Sequence, residues 1–250
     1  MISQTLKRAV KSWLAHYSLE IRHVTPIAAT LRDFGFVPEL SHALLELIHR
    51  RGGDFYFVQL GANDGVQADP IRSYILRYQL RGVLVEPIPD VYARLVESYQ
   101  GAKDLTFVNG AITEQERALT LYRPKTDTPG LPDWARGTIT ANLGQLIGLS
   151  FQGFTISEGM IESIEVQGTP IAEFVASLPG KIDFLQIDCE GYDLRLLRAF
   201  PFHLQRPALI NFELIHIPTE AYHQLLRDLG GLGYRFISGG EDTCAVQTGG

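Results

Sequence analysis

From residue 55 onward, short apolar runs alternate with stretches whose apolar positions recur every three or four residues. This is the pattern of buried strands separated by amphipathic helices. Residues 55–60 form an apolar and aromatic run that stops at Gly61, which predicts a first buried strand. The pattern then predicts a helix over 70–80, a strand over 83–85 ending at Glu86, a helix over 90–99 and a strand over 105–108 ending at Asn109. Residues 119–122 continue the alternation. Order returns with Thr169 and Pro170, which suit the N-cap and first position of a helix over 171–178. A strand over 182–187, a helix over 193–199, a strand over 208–214 and a helix over 220–229 follow. A pair of strands over 234–237 and 245–247, joined by a glycine-rich turn, closes the chain.

Regular β-α-β alternation implies a mostly parallel sheet flanked by helices. The helix-poor final pair suggests that one edge strand runs antiparallel. Two segments stand apart from the pattern. Leu6, Val10, Trp13, Leu14 and Tyr17 recur at helical spacing, and a second helical stretch over 38–50 carries Leu40, Leu44, Leu47 and Ile48 on one face. Residues 1–52 are therefore read as an N-terminal helical cap or lid, and 53–250 as the main α/β domain. A dimer contact or a membrane-surface helix is the alternative use of the cap. The second segment, 123–168, is rich in proline and glycine. Irregular stretches of this length in a compact domain usually carry function, so it is expected to hold an extra hairpin and to cover part of a substrate site.

Composition narrows the class. The 250 residues suit one α/β domain, with 45% hydrophobic and 20% charged residues. No apolar run is long enough to span a bilayer, and the first 24 residues lack the continuous apolar core of a signal peptide, so a cytoplasmic location is expected. A formal charge of −6 with scattered arginines disfavours a nucleic-acid substrate. Cys189 and Cys244 are far apart and without a CxxC partner, which excludes a cysteine zinc site and argues against a disulfide framework.

Candidate chemistry gathers where the predicted strands end. The first strand runs into Gly61-Ala62-Asn63-Asp64-Gly65. Glycine at a strand-to-helix turn lets backbone approach a ligand closely. Neither GxGxxG nor a Walker lysine is present, which argues against a phosphate cradle. Glu86, about twenty-five positions after Gly61, is placed to accept hydrogen bonds from ribose hydroxyls, and the Asn109 amide to reach a purine edge. The fourth strand end, Ile187-Asp188-Cys189-Glu190-Gly191, supplies two carboxylates two positions apart, and the fifth adds Glu213 and His216. Such clusters are candidates for acid/base work or a divalent metal.

Taken together, the turn over 58–65, Val85-Glu86-Pro87, Asn109-Gly110-Ala111, Ile187-Asp188-Cys189-Glu190-Gly191 and Phe212-Glu213 resemble the FkbM-type family of methyltransferases. The resemblance covers residues 55–213. It implies the class I methyltransferase fold, a Rossmann-like sheet of seven mostly parallel strands. It also implies S-adenosyl-L-methionine as methyl donor and O-methylation of a sugar, glycolipid or polyketide-like small molecule. By match to the family pattern, Gly61, Asn63, Asp64, Glu86 and Asn109 line the cofactor, with Gly65 in the same turn, and Asp188 and Glu190 sit by the reacting atoms. Many class I members carry an acid where Gln59 stands. Gln59 accepts a hydrogen bond without charge, which shifts the expected burden onto Asp64.

The implied reaction is in-line displacement at the methyl carbon, assisted by a base. Asp188 is the first candidate base and His216 the second. Asp188, Glu190 and Glu213 are the ligands for Mg²⁺ if a metal takes part. Each residue has a plainer alternative: Asp188 as a helix cap, Glu190 as ion-pair partner of Arg195, His216 as a hydrogen-bonded surface or core side chain, and Glu86 as a solvated strand-end acid. Tyr122 and Trp134 border the irregular region, either stacking on a sugar or simply packing. An NAD-dependent oxidoreductase and a non-catalytic Rossmann-like binding protein are the competing functions, and a homo-oligomer is left open.

Overall fold

The computed structural model describes residues 40–67, 69–131, 135, 138–151, 154–214, 217–239 and 242–248, all within the compact unit Glu39–Gly250. The expected helix around residues 6–17, together with Trp134 and His216, lies outside the described residues. The elements, in chain order, are α1 (Leu40–Arg51), β1 (Tyr56–Leu60), α2 (Arg72–Tyr78), β2 (Arg81–Glu86), α3 (Pro89–Ser98), β3 (Leu105–Asn109), β4 (Ala111–Thr113) and β5 (Ala118–Pro124). After these come α4 (Leu143–Leu146), β6 (Ser150–Phe151), β7 (Phe154–Thr155), β8 (Ile161–Pro170), α5 (Ile171–Ser177), β9 (Phe184–Ile187), α6 (Asp193–Ala199), β10 (Leu209–Glu213), α7 (Thr219–Gly231), β11 (Tyr234–Gly239) and β12 (Asp242–Gln247).

Seven strands form the central sheet in the order β11-β12-β10-β9-β1-β2-β3. The pairs β2–β3, β1–β2, β1–β9 and β9–β10 are parallel, and β12 runs antiparallel to both of its neighbours. This is the class I methyltransferase topology expected from the sequence, with one correction. The reversed strand is second from the edge, not at it. The hairpin return strand β12 fills the gap between β10 and β11 and hydrogen-bonds on both sides, so β11 becomes the edge.

The strands are apolar because both faces are covered. One face packs Val58, Leu60, Leu185, Ile187, Ile210 and Phe212 against α5, α6 and α7 through Phe174, Leu196 and Leu225. The other packs Phe57, Leu84, Phe184 and Leu209 against α1, α2 and α3 through Leu44, Ile75 and Leu95. The second predicted N-terminal helix, α1, is thus part of this core. Arg51, at its end, pairs with the buried Asp183 at 2.9 Å, and Asp183 also accepts the Tyr56 N–H.

Two local expectations change. Thr169 does not cap α5: β8 continues through it to Pro170, whose extended backbone (ψ 134°) makes the turn into the helix. The stretch 123–168 is also less irregular than its glycines and prolines suggest. It holds the small β6–β7 hairpin and most of β8, which pairs along its length with β5. Alternation of Ile164, Val166 and Gly168 inward with Ser163, Glu165 and Gln167 outward is a strand pattern. The nearby glycines obscured it. β4, β8 and β5 form a separate three-stranded sheet whose apolar side chains Ala111, Leu121 and Val166 meet Ile88, just ahead of α3, and Val91 within it. That sheet walls one side of the site described next.

Candidate functional site

All five parallel strands end at one edge of the sheet, and there a cleft of about 990 Å³, open mouth included, is formed. Its polar lining comes from Gln59, Asn63, Asp69, Glu86, Gln186, Asp188 and Glu190. Its apolar wall comes from Pro87, Ala111, Leu119, Leu121, Ile139 and Ala141.

The turn after β1 explains the glycine. The Gly61 and Ala62 N–H groups both donate to the Val85 carbonyl, at 3.1 and 3.0 Å. This pulls the turn against the neighbouring strand ends. Gly61 takes φ +77°, and a Cβ there would lie 1.8 Å from the Asp188 carbonyl oxygen. Only glycine lets the β1 and β9 ends approach this closely. Asn63 also lies in the left-handed region, at φ +48°, and donates its N–H to Glu86 Oε2 at 3.1 Å. The other Glu86 oxygen accepts the Ile88 N–H at 2.9 Å. Glu86 is therefore a buried strut, only 3% exposed, and not a solvated strand-end acid. Burial, partly offset by those two donors, pushes its carboxyl up to about 7.

Three sequence candidates stand off the cleft lining. Asp64 Oδ1 accepts the Val66 and Gln67 N–H groups, each at 2.9 Å, and so builds the turn. Gly65, at φ +69°, packs against Leu95, Ser98 and Tyr99, where a Cβ would be too close. The Asn109 amide turns back to donate to the Glu86 and Pro87 carbonyls, leaving Gly110 on the cleft.

At the β9 end, Asp188 faces the cleft. It does not cap α6. The carboxylate that closes that loop is Asp193, which accepts the Cys189 and Gly191 N–H groups at 3.3 Å. Burial raises the Asp188 carboxyl to about 7, with Glu190, Asp193 and Asp242 adding repulsion. Burial likewise raises Glu213 to about 8, helped by Asp188 and Glu190. Glu190 takes φ +48° and its carbonyl accepts the Thr140 hydroxyl at 3.0 Å. It is not the partner of Arg195, which pairs instead with Glu114 and Glu116. Glu116 also receives the Tyr192 hydroxyl at 3.0 Å, beneath the Arg195 guanidinium, and so fixes Tyr192 on the cleft wall. No group of three His, Cys, Asp or Glu side chains among the described residues is arranged to hold a metal ion. Nothing among the described residues supports the Mg²⁺ site expected at Asp188, Glu190 and Glu213.

Sequence reasoning missed a row of buried polar groups. Gln59, Gln186 and Asn211 are register partners across β1, β9 and β10, on the α1–α3 face. Asn211 Nδ2 donates to Gln186 Oε1 and to Asp242 Oδ2, both at 3.0 Å. An amide in the middle of Phe184-Leu185-Gln186-Ile187 was the available signal. Asp69 was missed as well. Its position ahead of Pro70 marks the entry to α2, where Oδ1 accepts the Ile71 and Arg72 N–H groups.

Comparison with known proteins adds a family signature: the methyltransferase FkbM domain profile matches residues 59–236. No curated protein matches the chain. Among solved structures, the chain is similar to a methyltransferase FkbM from Methylobacillus flagellatus KT, at 12% identity and TM-score 0.42, over 77% of this chain and 43% of that one. It is also similar to Aeropyrum pernix fibrillarin bound to S-adenosyl-L-methionine (15% identity, TM-score 0.39, 81% and 74% covered). A third is a Bacillus cereus O-methyltransferase in complex with SAH (12% identity, TM-score 0.39, 98% and 92% covered).

Proposed function

Because the chain belongs to the FkbM methyltransferase domain family, we propose that its cleft binds S-adenosylmethionine and directs the methyl group to a hydroxyl oxygen of a small molecule or sugar. The observation that carries the reading is the pairing, in one cleft, of a glycine turn braced by Glu86 with a buried carboxyl, Asp188, raised to about 7. Glu86 lines the cleft with lone pairs left over from its two backbone donors, and these are the acceptors assigned here to the ribose hydroxyls. The apolar wall of Ala111, Leu119, Leu121 and Ile139 suits a flat purine. Bound there, S-adenosylmethionine supplies a methyl carbon made electrophilic by its sulfonium.

The remaining chemistry falls to the chain. The cleft must hold the acceptor oxygen in line with that carbon, at roughly 3–3.5 Å. Asp188, near neutral in its affinity for a proton, takes the hydroxyl proton as the oxygen's lone pair forms the new C–O bond and the C–S electrons return to sulfur. His216 remains the second candidate base, and Glu213 lies within electrostatic reach of Asp188.

Glu86→Ala tests the cofactor half of this reading. It is expected to weaken S-adenosylhomocysteine binding by about 1–3 kcal/mol, since paired hydroxyls and two backbone donors lose their acceptor. Calorimetric titration measures it. An unchanged dissociation constant removes Glu86 from the binding site.

A further inference from the structure

Four carboxyl side chains line the cleft, Asp69, Glu86, Asp188 and Glu190, and among its described lining residues there is no Lys, Arg or His. Three arginines on the elements around it are committed elsewhere. Arg72 donates to the Gly65 and Ser98 carbonyls, Arg123 bridges Asp90 and Glu162, and Arg195 pairs with Glu114 and Glu116.

The four acids are not equivalent. Asp69 accepts the Ile71 and Arg72 N–H groups and the Tyr99 hydroxyl, and Glu86 accepts the Asn63 and Ile88 N–H groups. Such donors offset part of a carboxylate's charge. Asp188 is placed differently. Each charged group acting on it is another acid: Glu190, Asp193 and Asp242. A second kind of group in the same cleft has the same polarity. Gln59 is 2% exposed, and its Oε1, the negative end of an amide dipole, meets no hydrogen-bond donor.

Fixed charges in a cleft walled off from water act more strongly on a bound ion than they do in bulk solvent. A cleft with an excess of negative charge and no cation in its lining favours a ligand that brings positive charge. S-adenosylmethionine brings it at the sulfonium. S-adenosylhomocysteine, a zwitterion with a neutral thioether, does not.

We propose that the cleft is charge-selective: the Asp188 and Glu190 carboxylates and the Gln59 amide oxygen recognise positive charge at the methyl-bearing position, so the methyl donor is held more tightly than the product. The selection rests on the S-adenosylmethionine reading above. Transfer moves the methyl carbon to the acceptor oxygen, returns the C–S electrons to sulfur and delivers the hydroxyl proton to Asp188. The sulfonium charge and the carboxylate charge that attracts it therefore vanish in the same step, which favours release of the product.

Calorimetric titration of the intact chain at pH 8 tests this with three probes: S-adenosylmethionine, S-adenosylhomocysteine and sinefungin, whose protonated amine takes the place of the sulfonium methyl. The two cationic probes are each expected to bind about tenfold or more tightly than S-adenosylhomocysteine, the scale set by a charge pair several ångströms apart at a protein-like dielectric. In the double variant Asp188→Asn/Glu190→Gln the preference is expected to fall to within about twofold, through weaker binding of the cationic probes. Asp188→Asn alone is expected to lower it about threefold or more, and serves if the double variant does not fold. S-adenosylhomocysteine binding to wild type as tightly as the cationic probes overturns the selection. So does tighter binding of S-adenosylmethionine without tighter binding of sinefungin, which would assign the preference to methyl contacts, and so does a preference that survives the substitutions. If the wild-type protein binds none of the three, the cofactor reading fails and the selection with it.

Discussion

Gly61→Ala is expected to destabilise the fold by about 3 kcal/mol or more, or roughly 6–12 °C in Tm for a domain of this size. The site combines φ +77° with a Cβ position 1.8 Å from the Asp188 carbonyl oxygen. Rotating a side chain cannot relieve that contact, because the opposing atom is backbone at the end of β9. Either β1 and β9 separate or the turn refolds, and both open the cleft where Gly61 and Asp188 meet. Thermal unfolding checks the stability, and S-adenosylhomocysteine titration of whatever remains folded checks the cleft. Wild-type stability would mean that the turn is looser than its geometry implies. Gly65→Ala has a softer clash, since the Cβ there meets the Leu95, Ser98 and Tyr99 side chains.

Asp188→Asn is expected to separate activity from stability. Turnover should fall about 10²–10⁴-fold, the usual contribution of a positioned base. Affinity for S-adenosylhomocysteine should change little. The stability effect has the opposite sign. The folded carboxyl titrates near 7 and the unfolded one near 4. Above pH 4 the unfolded chain gives up its proton more readily than the folded one. Stability associated with this group is therefore complete below pH 4 and is lost as pH rises through 7. Asparagine removes that loss, so the variant should melt higher than wild type at pH 8, with the difference shrinking toward pH 5. Release of S-adenosylhomocysteine with an acceptor that supports turnover, and melting curves at the two pH values, measure the two halves. Full activity would return Asp188 to a structural role. A lower melting point at pH 8 would contradict its burial as a strained acid.

How far the sequence could be read depended on which property carried each feature. The central sheet was legible because β1, β9 and β10 are buried on both faces and read as continuous apolar runs. Gly61, Glu86 and Asp188 were legible because a parallel sheet delivers every strand end to one edge. Interactions that depend on side-chain direction were not legible. Asp188 and Asp193 are both acids near the start of α6, and only the folded loop sends Asp193 to the backbone donors and leaves Asp188 facing the cleft. Arg195 lies nearer in sequence to Glu190 than to Glu114 or Glu116, yet β4 and β5 bring those two acids to it. The row Gln59, Gln186 and Asn211 depends on interstrand register, which no single strand announces. β8 was hidden because its glycine and its flanking glycine-rich loops look like breakers. In fact Gly168 is held where a Cβ would strike the Glu116 carbonyl, so glycine permits the strand pairing there.

Calorimetric titration of the wild-type protein with S-adenosylhomocysteine and, in parallel, with NAD tests the cofactor assignment most directly. Binding of the adenosyl ligand at micromolar concentration with none of NAD is the predicted result. Binding of NAD alone, or of neither ligand, would contradict it.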